Sequence, residues 1–177
     1  MLLNSHQSII SIDQLIHQLN SAKTVEQYNH ILNSFNLNRA TLRSYCSWDN
    51  CSYTRNIITR NPSYELLIIC WQKSHSSAIH NHGKSQCWMS VIQGQIEEKR
   101  YETTPNNAQN QPTVSLKQIA CHTHYPGKIS TIKNHEIWHS LQALSPKAIT
   151  LHLYSPPLHQ FSIYDAEINL VRQQQYS

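Results

Sequence analysis

The hydrophobic pattern changes period once along the chain, near Cys51. Before that point apolar residues recur at helical spacing. Ile12, Leu15, Ile16 and Leu19 form one stripe, and Val25, Tyr28, Ile31, Leu32 and Phe35 form a second. Each stripe begins with a hydroxyl residue and a glutamine in capping-box spacing, Ser11 with Gln14 and Thr24 with Gln27. In that arrangement side chain and backbone satisfy each other's exposed N–H groups at the helix start. The pattern predicts two amphipathic helices, followed by a shorter helical turn over 36–43. None of these segments carries a chemical cluster, so they read as packing elements.

Beyond Cys51, short stretches rich in Ile, Val, Tyr, Trp and Thr alternate with turn residues, which is the signature of strands. Strands are predicted at 51–58, 64–72, 76–82, 87–102, 115–125, 128–133, 136–142 and 147–154. The apolar run from Tyr64 to Trp71 reads as a buried strand. Gly94 and Gly127 fall at expected turns, and the polar stretch 103–112 reads as an exposed excursion. The tail after Asp165 is polar and reads as a fraying end. So many short strands suggest a closed barrel or a double-sheet jelly roll.

Composition narrows the class. At 177 residues the chain is long enough for one domain with a sizeable core. Hydrophobic residues make up 39% and charged residues 14%, a globular balance. The net charge of +4 is scattered, with no basic stripe among aromatics, so nucleic acid is not an expected partner. The five cysteines are odd in number and include no CxxC pair. The start Met1-Leu2-Leu3 turns polar at once, and no apolar run reaches membrane-spanning length. A cytoplasmic protein with reduced thiols and no membrane association is expected.

The twelve histidines are many for this length, and most read as surface residues. His80-Asn81-His82 is the exception. On a strand, residues two apart share a face, so both imidazoles point the same way and start a metal site. A third ligand must come from elsewhere. His139, bracketed by Ile137, Trp138 and Leu141, is favoured over His135 in a polar turn and over the second pair, His122 and His124, beside the Tyr125-Pro126-Gly127 turn. The common iron site uses two histidines and a carboxylate. Here no acid lies within seven residues after His82, and Cys87 stands where one is looked for. An all-histidine set is neutral. It leaves the metal's charge to be offset by a ligand bringing its own thiolate or carboxylate.

Several further pieces fall in a consistent order: Tyr53-Thr54-Arg55-Asn56, Cys70-Trp71, Ser77-Ala78-Ile79-His80-Asn81-His82 with Cys87, His139, and Leu151-His152-Leu153-Tyr154-Ser155-Pro156-Pro157. On these motifs the chain, over roughly residues 10–165, resembles the cysteine dioxygenases, thiol dioxygenases of the cupin superfamily. The resemblance implies a mainly β fold, a cupin-type double-sheet jelly-roll barrel with the short N-terminal helices packed outside. It implies one domain over 1–177, helical to about 45 and β from about 50 to 165.

The resemblance also implies chemistry. Fe(II) would be held by His80, His82 and His139, with L-cysteine bound through thiolate and amine, and O2 as the second substrate, giving cysteine sulfinate. Arg55, with Tyr53 on the same face, would clamp the substrate carboxylate, which suits the fixed fork of a guanidinium. Tyr154 would be the active-site tyrosine, joined in some members to the Cys87 position by a thioether. His152 would bond the Tyr154 hydroxyl, with Thr150, where serine is better known, completing the substrate end. The Ser155-Pro156 bond would be cis. Taken singly, Arg55 reads as a surface ion-pair partner, Tyr154 and His152 as core, and Cys87 as a small buried hydrophobe; the joint pattern raises them above that. Asn81 replaces a common aspartate, and the segment between His139 and His152 is slightly short.

Two rival functions remain in view. A 3-mercaptopropionate dioxygenase is one, although that branch carries glutamine where this chain has Arg55. A non-catalytic metal-binding cupin is the other, and three histidines with water also suit zinc. The protein is expected to act as a monomer.

Overall fold

The computed structural model describes residues 9–37, 39–104, 114–133, 136–165 and 170–175. They fall into two compact units, Met1–Cys46 and Ser47–Ser177. In the first unit, helices α1 (Ile12–Ser21) and α2 (Val25–Ser34) start where the capping boxes predict. Gln14 N–H donates to Ser11 Oγ (3.2 Å) while Ser11 N–H donates to Gln14 Oε1 (2.8 Å). Thr24 and Gln27 repeat the exchange at 3.2 and 3.4 Å. Ile12, Leu15 and Leu19 of α1, and Tyr28 and Leu32 of α2, are buried, as the stripes require. A 3-10 helix over Arg39–Tyr45 stands close to the expected third turn. A parallel pair of two-residue strands, β1 (Ile9–Ile10) and β2 (Asn36–Leu37), was not foreseen, because two residues carry no period.

The second unit is β. Its strands are β3 (Thr54–Arg60), β4 (Glu65–Gln72), β5 (Ile79–His80), β6 (Gln86–Gln93), β7 (Ile96–Thr104), β8 (Ser115–His124), β9 (Ile129–Ile132), β10 (Trp138–Ala143), β11 (Lys147–Ser155), β12 (Gln160–Asp165) and β13 (Leu170–Gln175). They form a five-stranded sheet in the order β3-β4-β11-β6-β9 and a six-stranded sheet in the order β13-β12-β5-β10-β7-β8. All pairings within these two sheets are antiparallel. Leu67, Ile69 and Met89 of the first sheet share a core with Ile96, Leu141 and Phe161 of the second. The expected double-sheet arrangement is present, and the sheets stay separate rather than closing into one barrel. Trp71, Trp88 and Trp138 are core residues. Every residue of β4 from Glu65 to Trp71 is buried, which fits a run without alternation.

Three strand predictions change. The predicted strand 87–102 is two strands, β6 and β7, turning at Gly94. Gly94 has φ +77°, and a Cβ there would lie 2.6 Å from the Lys147 carbonyl oxygen, so the turn demands glycine. The predicted strand 76–82 shrinks to Ile79–His80. Within the polar tail, Leu170–Gln175 is an ordered strand that pairs along β12 from Leu170↔Asp165 to Gln175↔Gln160. An edge strand with exposed side chains has no apolar face to show in its sequence. Most of the polar excursion 103–112 lies outside the described residues. The Ser155–Pro156 bond is cis. Among the described residues no helix is long and apolar enough to cross a membrane.

Candidate metal centre and active site

Strand pairing brings the histidines together. His80 on β5 and His139 on β10 are register partners, and His82 follows two residues after His80. One ring nitrogen from each lies within 4.8 Å of the others. His82 Nε2 is 3.0 Å from His139 Nε2. The outer nitrogens decide what the inner ones present. His80 Nδ1 lies 2.9 Å from the Ala78 carbonyl oxygen, and His139 Nδ1 lies 2.9 Å from Glu98 Oε1. A carbonyl and an ionised carboxylate only accept, so in the neutral rings the proton sits on Nδ1 and the Nε2 lone pair faces the cluster. Burial pushes His80 down to about 3, with the nearness of the His139 ring the next cause, and drives His82 well below its ordinary value in the same way. Neutral imidazoles with converging nitrogens fit a divalent transition metal.

The competing third ligands are elsewhere. His122 is exposed, and His124 Nε2 bonds Glu98 at 2.8 Å. His135 lies outside the described residues.

Glu98 is the functional residue that motif reading missed. It is 1% exposed on β7, and its Oε1 accepts from His139. Its Oε2 accepts from His124 Nε2 (2.8 Å), Ser130 Oγ (2.7 Å) and Arg100 Nη2 (3.1 Å). Burial alone would push the carboxyl up. The bonds from His124 and His139 and the charge of Arg100 outweigh it and hold the carboxyl well below the usual range. A signal was available: in Ile96-Glu97-Glu98, alternation puts Glu98 on the apolar face with Ile96.

The facing sheet contributes the other residues. Thr150, His152 and Tyr154 alternate along β11 and share a face. Tyr154 is the register partner of Cys87 on β6, and the two side chains are hydrogen-bonded. Burial, reinforced by the Glu98 charge, pushes the Cys87 thiol up. His152 Nε2 lies 2.8 Å from Thr150 Oγ1, and among the described residues its buried Nδ1 has no hydrogen-bond partner. The Thr150 hydroxyl is within reach on the same strand face, and it also accepts from Trp71 Nε1–H (2.9 Å). The His152 and Tyr154 rings are stacked with centroids 6.1 Å apart. Burial, then the Arg55 charge, holds His152 well below its ordinary value.

A cavity of about 140 Å³ lies between the sheets. His80 and His139 line it from one side, and Tyr53, Arg55, His152 and Tyr154 from the other, among apolar residues such as Ile69 and Phe161. A cavity of about 150 Å³ holds a molecule the size of benzene, so this one suits a ligand of that scale. The Tyr53 ring packs against Trp71 at a tilt of 32°, with centroids 4.5 Å apart. The Arg55 Cζ lies 5.9 Å from the Tyr154 ring centroid. Thr150 is fully buried, lies off the wall of this cavity and is in hydrogen-bond contact with His152. Cys87 and His82 are also off that wall.

Two facing antiparallel sheets around a three-histidine cluster define a cupin-type metal-binding protein. The fold is similar to that of a Klebsiella pneumoniae protein with a double-stranded β-helix domain (TM-score 0.50, 16% identity, 69% of this chain and 87% of that one). It is also similar to a cupin-superfamily sugar phosphate isomerase from Silicibacter pomeroyi (TM-score 0.50, 10% identity, 70% and 71% covered). At such identities the likeness is one of fold alone. The model of the family described as cysteine dioxygenase type I matches residues 3–167. Cysteine dioxygenase type 1 of Bos taurus is 27% identical over 161 residues, covering 89% of this chain and 79% of the relative. That of Danio rerio is 26% identical over 155 residues, covering 85% and 75%. The chain belongs to the cysteine dioxygenase type I family.

Proposed function

We propose that the protein is a ferrous-iron-dependent cysteine dioxygenase that adds both atoms of O2 to the thiol of L-cysteine, giving cysteine sulfinate. The observation that carries this reading is the shared cavity: His80 and His139 face Arg55, Tyr154 and His152 across about 140 Å³. His80, His82 and His139 would hold the iron. Bound there, it supplies the redox chemistry that joins a thiolate to dioxygen.

The protein's own residues do the rest. Arg55 offers a planar guanidinium to the substrate carboxylate, fixing the thiol end toward the histidines. The Tyr154 ring lies against that guanidinium, so its hydroxyl is placed to hydrogen-bond the carboxylate or the reacting oxygen. Thr150 holds the His152 ring, and Tyr53 on Trp71 closes the wall beside Arg55. Apolar residues such as Ile69, Leu158 and Phe161 exclude water. The neutral ligand set leaves the metal's charge for the anionic thiolate. Arg55 favours cysteine over 3-mercaptopropionate, whose dioxygenases carry glutamine at that position. We read Cys87 and Tyr154 as the thioether pair, a reading supported by their register and hydrogen bond.

The test is oxygen uptake by iron-loaded protein with cysteine, alongside detection of the sulfinate. Cysteine-dependent uptake with stoichiometric sulfinate is expected. Iron-loaded protein that consumes no oxygen with cysteine, or clearly prefers 3-mercaptopropionate, overturns the reading. Activity restored by zinc but not by iron would overturn the metal assignment.

A further inference from the structure

Glu65 has no place in the site described so far, yet it is 0% exposed in a strand that is otherwise apolar up to Trp71. By alternation it shares a face with Leu67, Ile69 and Trp71, the inward face of the sheet. Its register partners are Arg60 on β3 and Tyr154 on β11. A charge placed there is costly unless it is paired.

The pairing is lopsided. Arg60 Nε and Nη2 both donate to one oxygen, Oε2, at 3.2 and 3.0 Å. A symmetric fork would engage both oxygens. Here Oε1 is buried without a hydrogen bond and lies 3.7 Å from Arg55 Nη2. That distance is beyond hydrogen-bond range but well within that of a strong ion pair. One carboxylate thus ties Arg60 with one oxygen and attracts Arg55 with the other. Arg55, Arg60 and Glu65 sum to a single positive charge at this end of the cavity.

We propose that Glu65 is a specificity-determining positioning residue: its Oε1 holds the Arg55 guanidinium at the cavity wall, so that small thiols bearing one carboxylate are selected over thiols bearing none. The inference rests on Arg55 being the carboxylate clamp of the proposed dioxygenase. Glu65 itself touches no substrate. It acts through Arg55, and its removal changes recognition of the carboxylate and not of the thiol.

The test is a double-variant cycle on the metal-loaded full chain, using Glu65→Gln, Arg55→Gln and the pair. Anaerobic calorimetry gives Kd for cysteine and for cysteamine, which lacks the carboxylate, and oxygen uptake gives kcat with cysteine. For Glu65→Gln, Kd for cysteine is expected to rise about tenfold, the size usual for coupled neighbours. Kd for cysteamine and kcat should stay near wild type, and the change should add nothing in the Arg55→Gln background. Equal weakening of both thiols, an unchanged cysteine Kd, or an effect that persists without Arg55 overturns the proposal. If Arg55→Gln alone leaves the cysteine Kd unchanged, the clamp reading fails, and this inference with it. If Arg55→Gln weakens cysteine but Glu65→Gln does not, only the Glu65 proposal fails. Should Glu65→Gln not fold, Glu65→Asp keeps the charge while drawing it back from Arg55; the same split at smaller size supports the proposal, and its absence overturns it.

Discussion

Replacing Glu98 by glutamine tests how the metal centre is built. Glu98 Oε2 accepts from His124, Ser130 and Arg100, whereas Oε1 accepts from His139 alone. An amide has one acceptor oxygen and one donor group. With three donors on one side, the glutamine oxygen takes the Oε2 place and its NH2 faces His139 Nδ1. Two donors then oppose each other, and His139 relieves the clash by moving its proton to Nε2, the nitrogen that faces His82. A protonated Nε2 cannot ligate. Loss of a partner behind a metal-bound histidine costs roughly 10–100-fold in metal affinity, and the forced tautomer puts this variant at the upper end, near 100-fold. That corresponds to about 2.8 kcal/mol. The assay is anaerobic competition for Fe(II) against a chromogenic chelator, with thermal denaturation of the metal-free protein as the control for folding. Iron affinity within twofold of wild type, in a variant that folds normally, would refute the role assigned to Glu98.

The other predictions are shorter. Alanine at His80 or His139 should abolish metal binding at the centre, read by metal analysis after gel filtration; retention of a full equivalent would exclude that histidine as a ligand. Intact-mass spectrometry after turnover with iron and cysteine should show wild type losing the mass of two hydrogens, as a Cys87–Tyr154 thioether requires, while Cys87→Ala and Tyr154→Phe do not; wild type that never loses them forms no thioether. Gly94→Ala should destabilise by roughly 2–4 kcal/mol through positive-φ strain and overpacking, since the new Cβ would meet the Lys147 carbonyl oxygen at 2.6 Å; an unchanged melting temperature would contradict this. Acid should weaken the metal-free protein. His152 is held well below its ordinary value of about 6.5, so the unfolded chain takes up a proton first. Its contribution is complete above that value and is lost as pH falls below it, by up to about 1.4 kcal/mol per pH unit until the folded pKa is reached. His152→Gln should flatten that part of the stability profile, and equal slopes in both proteins would refute the assignment.

What could be read from the sequence divides along a physical line. The helix starts at Ser11 and Thr24 were legible because a capping box is local, complete within four residues. His80 and His82, which the structure brings into one cluster with His139, and Arg55 and Tyr154, which it brings to one cavity, stood out because their motifs are contiguous in sequence. Glu98 was not, because its meaning depends on β7 lying beside β10, which brings position 98 within reach of His139 across 41 residues. Glu65 was hidden differently, inside a run whose apolar average outweighed its single charge. The contact between His152 and Thr150 joins residues two apart on one strand face, a spacing the sequence does show. Strand β13 was missed because a solvated edge needs backbone partners and no hydrophobic period.

The position of the acid gives the site its chemical logic. A carboxylate bound directly to a divalent metal would cancel part of its charge before any substrate arrived. Here the carboxylate stands one step back: Glu98 polarises His139 through Nδ1–H, while Arg100 and the bonds from His124 and Ser130 compensate its charge. The candidate ligand set therefore consists of three imidazoles and no carboxylate. On the other wall the arrangement is mirrored, with Glu65 compensating one of two arginines and leaving one positive charge toward the cavity. With a divalent metal held by the histidines, as the proposed function requires, the cavity would meet positive charge at both ends, the cation at one and the net charge of Arg55, Arg60 and Glu65 at the other. A small molecule with a thiolate at one end and a carboxylate at the other, the substrate class proposed above, would satisfy both at once. On the proposed function, a thiol lacking the carboxylate would forgo the contact at the arginine end, and a carboxylate lacking the thiol the contact at the metal end.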